Sequence, residues 1–307
     1  MVPPPLTRLI VICGPTATGK TAASLVLAER LGAEIVAADS RTVYRAMDIG
    51  TAKPSSEART RIPHHCIDLA EPDEVVTLAT YRQAAADAIR GIGERGKAPL
   101  LVGGTGLYIR AVVDGFTIPA VPPDPTLRAR LEREEKRTPG RLYARLQRVD
   151  PVAAHRIHPH NVRRLIRALE VFEHTGRPIS SLQRHGDTVG DAVQIGLTLD
   201  REVLYRRIDE RVDAQVRAGL VDEVHGLLRR GFDPALPSMQ GLGYKEIVPY
   251  LQGTIPLAEA ITHLRRNTRR FAKRQVTWFR RDARIRWLGV DGLSAEAVAH
   301  ALDRMLE

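Results

Sequence analysis

The stretch GPTATGKT, residues 14–21, has the residue types and spacing of a phosphate-binding loop. Its glycines allow consecutive backbone N–H groups to turn toward one anion, and the helix expected after it presents its positive N-terminal end. Lys20 adds a positive charge, and the Thr21 hydroxyl can ligate Mg²⁺. A chance match on a structural turn is the alternative. The pattern predicts that the loop holds a phosphate compound.

Asp39 closes a second apolar run, AEIVAADS, and could face the same site. Ligands of α/β proteins lie at the carboxyl ends of parallel strands, where a carboxylate can act as general base. Asp39 could also cap the following turn, and the two roles are compatible. Phosphate-loop hydrolases usually hold Mg²⁺ with an acid that closes another strand, but the candidate here, PLLVGGTG, ends in glycines. We therefore expect group transfer rather than hydrolysis coupled to mechanical work.

Short apolar runs alternate with helical patterns around these residues. Strands are predicted at residues 8–13, 33–40 and 100–104, and helices at residues 20–31, at 77–95 and from about 105. This alternation is typical of a parallel sheet covered on both faces. The fold class expected is α/β, with a P-loop NTPase-like parallel sheet core, helices on both faces and an α-helical insertion domain.

Prolines in FTIPAVPPDP mark a boundary in the chain. Residues 119–190 are charged and helical with no convincing strand, so we interpret them as the insertion. The strand AVQIGLTLD then returns the chain to the core, and RIRWLGV follows near the end. We expect residues 1–118 and 191–307 to form the catalytic core, with basic helices in its C-terminal part.

Composition indicates a globular protein with an anionic partner. The 307 residues carry a formal charge of +10, a pI of about 10.0 and only two cysteines. Residues 265–286 contain ten Lys or Arg and one acid, which gives 10 − 1 = +9, with aromatic residues interleaved. Such a run can be an ordinary solvated helix face, but its density favours RNA phosphates. No apolar run approaches the length of a membrane span, so we expect a cytoplasmic protein that does not bind membranes.

Eight separated segments, spread over most of the chain, are informative when taken together: GPTATGKT, ADSRTVYRAMDIGTAKP, PHHCIDL, LVGGTGLYIRA, NVRRLIRALEV, RIDERVDAQVRAGLVDEV, GLGYKEI and TRRFAKRQVTWFR. In content and in order they resemble the tRNA dimethylallyltransferases. The resemblance implies transfer of the dimethylallyl group from dimethylallyl diphosphate to N6 of the adenosine 3′ of the anticodon, position 37 of tRNA. Diphosphate is released, Mg²⁺ is required, and the insertion is mobile. We expect a monomer that binds the tRNA anticodon stem-loop.

The resemblance also implies roles for individual residues. Asp39 would be the general base, Thr16 would contact the diphosphate, and Arg207 is favoured over Arg211 as the stabilising arginine. Diphosphate binding is expected at Gly14, Thr16, Ala17, Thr18, Gly19, Lys20 and Thr21, with Thr21 also ligating the metal. Contacts to tRNA are expected at Asp39, Ser40, Arg41, Thr42, Thr105, Arg128, Arg163, Arg164, Leu165, Ile166, Arg167, Gln240, Gly241, Leu242, Gly243, Tyr244 and Lys245.

Many family members carry Gln where this chain has Thr42, so the reach of this side chain to a base edge is in doubt. His64 and His65 lie in a family-like segment and are expected to support the pocket. The histidines of HRIHPH, residues 155–160, lack a cysteine or nearby acid that would complete a zinc site.

Three alternative functions are open at this point. A small-molecule kinase would use the loop for ATP and Asp39 for a substrate hydroxyl, but would not need the basic C-terminal segment. An adenylate prenyltransferase would modify a free nucleotide, against which the insertion and the +9 segment argue. An RNA-binding protein with a purely structural loop would bind RNA and form no product.

Overall fold

The computed structural model describes residues 8–117, 119, 121–185 and 191–306. A six-stranded sheet has the order β3-β2-β4-β1-β7-β8, and all of its strand pairings are parallel. A two-stranded antiparallel sheet pairs β5 with β6. The strands are β1 (Leu9–Cys13), β2 (Glu34–Ala38), β3 (His64–His65), β4 (Pro99–Gly103), β5 (Phe116–Thr117), β6 (Arg184–His185), β7 (Ala192–Thr198) and β8 (Arg286–Gly289).

Helices connect and cover the strands. They are α1 (Lys20–Leu31), α2 (Ser56–Arg61), α3 (Leu78–Glu94), α4 (Gly106–Val113), α5 (Pro125–Arg137), α6 (Arg141–Val149), α7 (Pro151–Arg156), α8 (Val162–Thr175), α9 (Ile179–Leu182), α10 (Arg201–Arg217), α11 (Leu220–Arg229), α12 (Tyr244–Leu251), α13 (Leu257–Phe279) and α14 (Ala295–Arg304). The sequence therefore predicted the main parallel strands and their flanking helices correctly. Among the described residues, no helix is long and apolar enough to span a bilayer.

The central strands are apolar because both faces of the sheet are covered. Every residue of β1, β2 and β4 is buried, as expected of a parallel sheet enclosed by helices. Leu27 of α1, Ile208 of α10 and Leu302 of α14 contribute to the core around these strands and are fully buried. This packing fixes the carboxyl ends of β1, β2 and β4, from which the phosphate loop, Asp39 and Thr105 follow.

The chain divides into two compact units, one formed by Met1–Val113 with Val189–Glu307 and the other by Asp114–Thr188. The second unit has its own core of apolar helix residues, among them Leu131, Leu142 and Leu165, all fully buried. The predicted insertion, residues 119–190, covers most of this unit. Its expected lack of strands was wrong at β6, because a two-residue strand is too short to leave a sequence pattern.

Glycines at the carboxyl ends of β1 and β4 permit close backbone approach. A Cβ at Gly103 would lie 2.1 Å from the Ala38 carbonyl oxygen, and one at Gly14 would lie 2.5 Å from the Leu197 carbonyl oxygen. Gly14 also has φ of 136°, which disfavours a side chain. The end of β4 is therefore closed to a metal-binding acid by the packing of its neighbour β2.

Candidate functional site

The phosphate-binding loop joins β1 to α1 in a conformation suited to an anion. Ala17 has φ of 66°, and Gly19, the residue before α1, has φ of 88°. The N-cap position of α1 is Gly19, which has no side chain to cap the helix. Its first backbone N–H groups are therefore available to a ligand, and the helix dipole favours a negative one.

Lys20 lies in this loop, and its ammonium donates to the Pro15 carbonyl oxygen at 2.6 Å. Burial, together with the nearby positive charge of Arg211, lowers the pKa of Lys20 to about 8. The charge of Asp39 acts in the opposite direction. These couplings bring the lysine, the arginine and the carboxylate into one electrostatic cluster.

Arg211, on α10, is the arginine that the structure connects with this cluster. Burial lowers the pKa of its guanidinium, and the charge of Asp39 opposes that shift. Arg207 is one helical turn away and also half-buried. The electrostatic coupling thus favours Arg211, whereas the sequence analysis favoured Arg207, because spacing alone does not show which turn of α10 faces Lys20.

Asp39 and its neighbours are held at the carboxyl end of β2. One carboxylate oxygen of Asp39 accepts from the Arg41 N–H at 2.8 Å, which is the turn-capping role considered from the sequence. No hydrogen bond to its other oxygen occurs within the described chain. The Thr105 hydroxyl accepts from the Ser40 N–H at 3.0 Å, so these two predicted residues lie together. Asp39 is therefore fixed in place through one carboxylate oxygen, and the other oxygen is available to a ligand.

Thr42 is buried and uses its hydroxyl within the chain. It is 6% exposed, and its Oγ1 donates to the Asp39 carbonyl oxygen at 3.4 Å. The Thr42 hydroxyl is therefore bonded within the chain and is not directed to a base edge by this arrangement. In this arrangement Thr42 supports the turn that carries Asp39.

The predicted segment 240–245 lies beside the turn at residues 39–42. Arg41 donates to the Pro237 carbonyl oxygen at 2.7 Å, and the Arg41 side chain approaches Gly241. Gln240 and Lys245 are exposed at the two ends of the segment, and Leu242 is half-buried between them, whereas Gly241, Gly243 and Tyr244 are buried. The structure thus brings together two segments that are about 200 residues apart.

Gln275 is a site residue that the sequence analysis missed. Its side-chain oxygen accepts from the Thr16 N–H at 2.9 Å, and its side-chain nitrogen donates to the Gly104 carbonyl oxygen at 2.9 Å. It is only 6% exposed. The available signal was the single neutral polar residue within the run RRFAKRQ, since a buried amide must find partners for both of its ends.

Helix α13 has two different basic faces. Arg265 and Arg269 form ion pairs with Asp213 and Asp209 of α10. The other face, together with Arg281 just beyond the end of the helix, lines an open depression of about 410 Å³, formed by Arg270, Lys273, Arg274, Thr277, Trp278 and Arg281. In the described chain, the charged groups of Arg270, Lys273 and Arg281 make no ion pair. The +9 charge of the sequence is therefore partly neutralised, and its free part is concentrated on this second face.

In the second unit, the predicted RNA-binding residues differ in exposure. Leu165 and Ile166 are buried in the core of the unit, so their side chains are not available to RNA, because they lie on the apolar face of α8. Arg163 and Arg164 are exposed.

Arg128 and Arg167 are held by the fully buried Glu170. The Arg128 guanidinium donates to both Glu170 carboxylate oxygens, at 2.7 and 2.8 Å, and Arg167 donates to one of them at 2.6 Å. Burial opposes ionisation of Glu170, but these hydrogen bonds lower its pKa to about 2. Both arginines are therefore oriented by a carboxylate that stays charged.

His64 and His65 lie away from the predicted pocket. His65 Nε2 is 2.8 Å from a carboxylate oxygen of Glu34, at the opposite end of β2 from Asp39. His64 Nδ1 is 2.7 Å from the Ile62 carbonyl oxygen. Their expected support of the pocket was wrong, because β3 pairs with the beginning of β2 and not with its end.

Comparison with known families gives a match over most of the chain. The IPP transferase family model matches residues 42–282. The isopentenyl transferase family model matches residues 7–63, which include the phosphate-binding loop. Together the two matches cover the described site in the first unit.

Curated relatives match over nearly their full length. A tRNA dimethylallyltransferase of Pelotomaculum thermopropionicum is 51% identical over 302 residues, which are 97% of this chain and 96% of that protein. One from Desulforudis audaxviator is 54% identical over 293 residues, covering 94% of this chain and 93% of the relative.

Solved structures show the same fold. The full-length tRNA isopentenylpyrophosphate transferase of Bacillus halodurans is 43% identical with a TM-score of 0.71, covering 98% of this chain and 96% of that one. A eukaryotic dimethylallyltransferase described as acting on tRNA is 29% identical with a TM-score of 0.74, covering 92% of this chain and 74% of that one.

Proposed function

Because the chain belongs to the tRNA dimethylallyltransferase family, we propose that it transfers the dimethylallyl group of dimethylallyl diphosphate to N6 of adenosine 37 in tRNA. The observation that carries this proposal is the electrostatic cluster of Lys20, Arg211 and Asp39 beside the phosphate-binding loop. Two cations and a helix N-terminus can bind the negative charges of a diphosphate, and a carboxylate can accept a proton from an amine.

The loop and the two cations would stabilise the leaving group. When the bond between the allylic carbon and its oxygen breaks, negative charge develops on the diphosphate. The free N–H groups at the start of α1, together with Lys20 and Arg211, offer positive charge in a buried site, where it acts strongly. The diphosphate leaves with the electron pair of the broken bond, and no phosphoryl group is transferred.

Asp39 would complete the other half of the reaction. The exocyclic amine of adenine is a weak nucleophile because its lone pair is delocalised into the ring. As N6 attacks the allylic carbon, the carboxylate accepts a proton from that nitrogen. The Arg41 N–H and the Ser40–Thr105 hydrogen bond hold this part of the chain in place for that step.

The residues at the loop fit a requirement for Mg²⁺. The Thr21 side chain is exposed at the start of α1, and no other side chain is hydrogen-bonded to its hydroxyl in the described chain. Among the described residues, no group of three or more His, Cys, Asp or Glu could form a metal site of its own. A single protein ligand at Thr21 is compatible with the usual coordination of Mg²⁺, which binds through phosphate oxygens, water and few protein ligands. When bound, the ion would neutralise charge on the diphosphate.

Two basic surfaces, one in each unit, would bind the anticodon stem-loop. The first is the face of α13 with Arg270, Lys273 and Arg281, and the second includes the exposed Arg163 and Arg164 of α8. Such charges bind RNA phosphates irrespective of sequence. The target adenine must leave its stack to reach Asp39, which costs little for an unpaired loop base.

The deciding experiment is incubation of the protein with tRNA, Mg²⁺ and dimethylallyl diphosphate, followed by digestion and mass spectrometry. N6-prenyladenosine at position 37 is the expected product. Product on free adenosine monophosphate and none on tRNA would instead indicate an adenylate prenyltransferase. Transfer of phosphate from ATP to a small molecule would indicate a kinase, and RNA binding without any product would indicate a binding protein.

A further inference from the structure

Glu223, on α11, accepts four hydrogen bonds from two distant segments of the chain. One carboxylate oxygen accepts from the N–H groups of Asp48 at 2.9 Å and Ile49 at 2.7 Å. The other accepts from the Gly50 N–H at 3.0 Å and the Tyr244 hydroxyl at 2.6 Å. No Lys, Arg or His of the described chain forms an ion pair with Glu223. This carboxylate is thus held entirely by neutral donors, three of them consecutive backbone N–H groups.

The segment that Glu223 binds is held on its other side as well. The Gln215 side-chain amide of α10 donates to the Ile49 and Gly50 carbonyl oxygens at 2.7 and 3.1 Å. The N–H groups of residues 48–50 are therefore bonded to α11, and the carbonyl groups of Ile49 and Gly50 are bonded to α10. They follow the Asp39 turn by only a few residues.

Tyr244 joins this segment to residues 240–245. It is fully buried, and a Cβ at Gly50 would lie 2.5 Å from its ring. Burial and the neighbouring Glu223 raise the pKa of Tyr244, so the phenol stays protonated and donates its hydrogen bond. Only glycine at position 50 allows the ring to approach this closely.

We propose that Glu223 is a positioning residue that sets the distance between the turn at residues 39–42 and the segment at residues 240–245, and thereby the selectivity for adenine in the RNA. This inference rests on the proposed function and on the tRNA contacts that the family resemblance implies for these two segments. Glu223 acts through Tyr244 and the backbone of residues 48–50, and not by contact with the RNA.

Glu223→Gln tests the arrangement at nearly constant size. The new side chain has one oxygen and one NH₂ group, so whichever way it lies, the NH₂ group faces at least one backbone N–H donor. Asp222→Asn is the matched control, since Asp222 is exposed, lies in the same first turn of α11 and makes no side-chain hydrogen bond in the described chain. Both variants remove one negative charge from that helix N-terminus.

The measurement is the affinity of full-length protein for two anticodon stem-loops, with adenine or uracil at the target position and no prenyl donor. The wild type should prefer adenine by roughly tenfold, the value of one well-formed base contact. In Glu223→Gln this preference should fall to about twofold or less, while the affinity for the uracil stem-loop, which depends on phosphate contacts, stays unchanged. KM for the prenyl donor should also stay unchanged. Asp222→Asn should behave as the wild type.

Tyr244→Phe keeps the ring against Gly50 and removes one of the four donors to Glu223. It should therefore reduce the preference for the adenine stem-loop, but less than Glu223→Gln does. It provides the test if Glu223→Gln does not fold. Adenine preference retained in a folded Glu223→Gln, or in Tyr244→Phe when Glu223→Gln is unfolded, would overturn the inference. A wild type that binds both stem-loops equally and forms no prenyl product would instead overturn the proposed function.

Discussion

The Gln275 side chain and the Thr16 backbone are joined by a hydrogen bond of 2.9 Å, which ties α13 to the phosphate-binding loop. The same amide is bonded to Gly104 after β4. The helix that carries the free basic face therefore also shapes the anion site. A loop described from sequence as a local motif depends on a residue 259 positions later.

Replacement of Asp39 by Asn tests the general base. Asn keeps an oxygen that can accept from the Arg41 N–H, so the turn is preserved while the proton acceptor is lost. We expect kcat for prenyl transfer to fall about 10²–10⁴-fold, with tRNA affinity unchanged. Single-turnover assays and filter binding measure the two quantities. Asp73→Asn, at an exposed acid, is the control; normal turnover of Asp39→Asn would remove Asp39 from this role.

Replacement of the two arginines of α10 distinguishes between them. Arg211→Gln should lower kcat about 10²–10³-fold, because it removes positive charge from the buried cluster that faces the leaving group. Arg207→Gln should have a smaller effect, and Arg206→Gln, at an exposed position of the same helix, should have none. A larger loss for Arg207→Gln would restore the preference drawn from the sequence.

The lowered pKa of Lys20 predicts uptake of protons when the anionic donor binds. With a pKa of about 8 in the free protein, Lys20 is largely neutral above that pH, and a bound diphosphate raises its pKa by favouring the charged form. Donor affinity should therefore fall as the pH rises above about 8. Calorimetry in buffers of different ionisation enthalpy, compared with Lys20→Met, measures the proton uptake. Equal uptake by both proteins would contradict the assignment to Lys20.

The two faces of α13 should differ in their contribution to RNA binding. Lys273→Gln and Arg281→Gln remove charges without an ion-pair partner, and each should lower the slope of log Kobs against log salt by about one. Arg265→Gln removes a charge already paired with Asp213 and should leave the slope unchanged. The measurement is a titration of fluorescent anticodon stem-loop at several salt concentrations. Slopes equal to that of the wild type for Lys273→Gln and Arg281→Gln would mean that this face does not contact RNA phosphates.

The sequence predicted the residues that follow strands, because a phosphate loop and a strand-ending acid have local signatures. It also predicted the order of the main strands and helices, because apolar runs and helical spacing are local patterns too. It did not predict Gln275, Glu223 or the choice of Arg211, since each depends on which helix face meets a loop far away in the chain. Burial separated Leu165 from its exposed neighbour Arg164, although both lie in one family-like segment.

The place of β1 between β4 and β7 has a consequence for synthesis of the protein. A nascent chain on the ribosome that has reached only the second unit lacks β7, and so lacks one neighbour of the strand that precedes the phosphate loop. The hydrogen bond from Thr16 forms only after α13 has emerged. The phosphate-binding loop is thus completed only after Gln275 has been translated, and a ribosome-stalled fragment ending before α13 should not retain the prenyl donor.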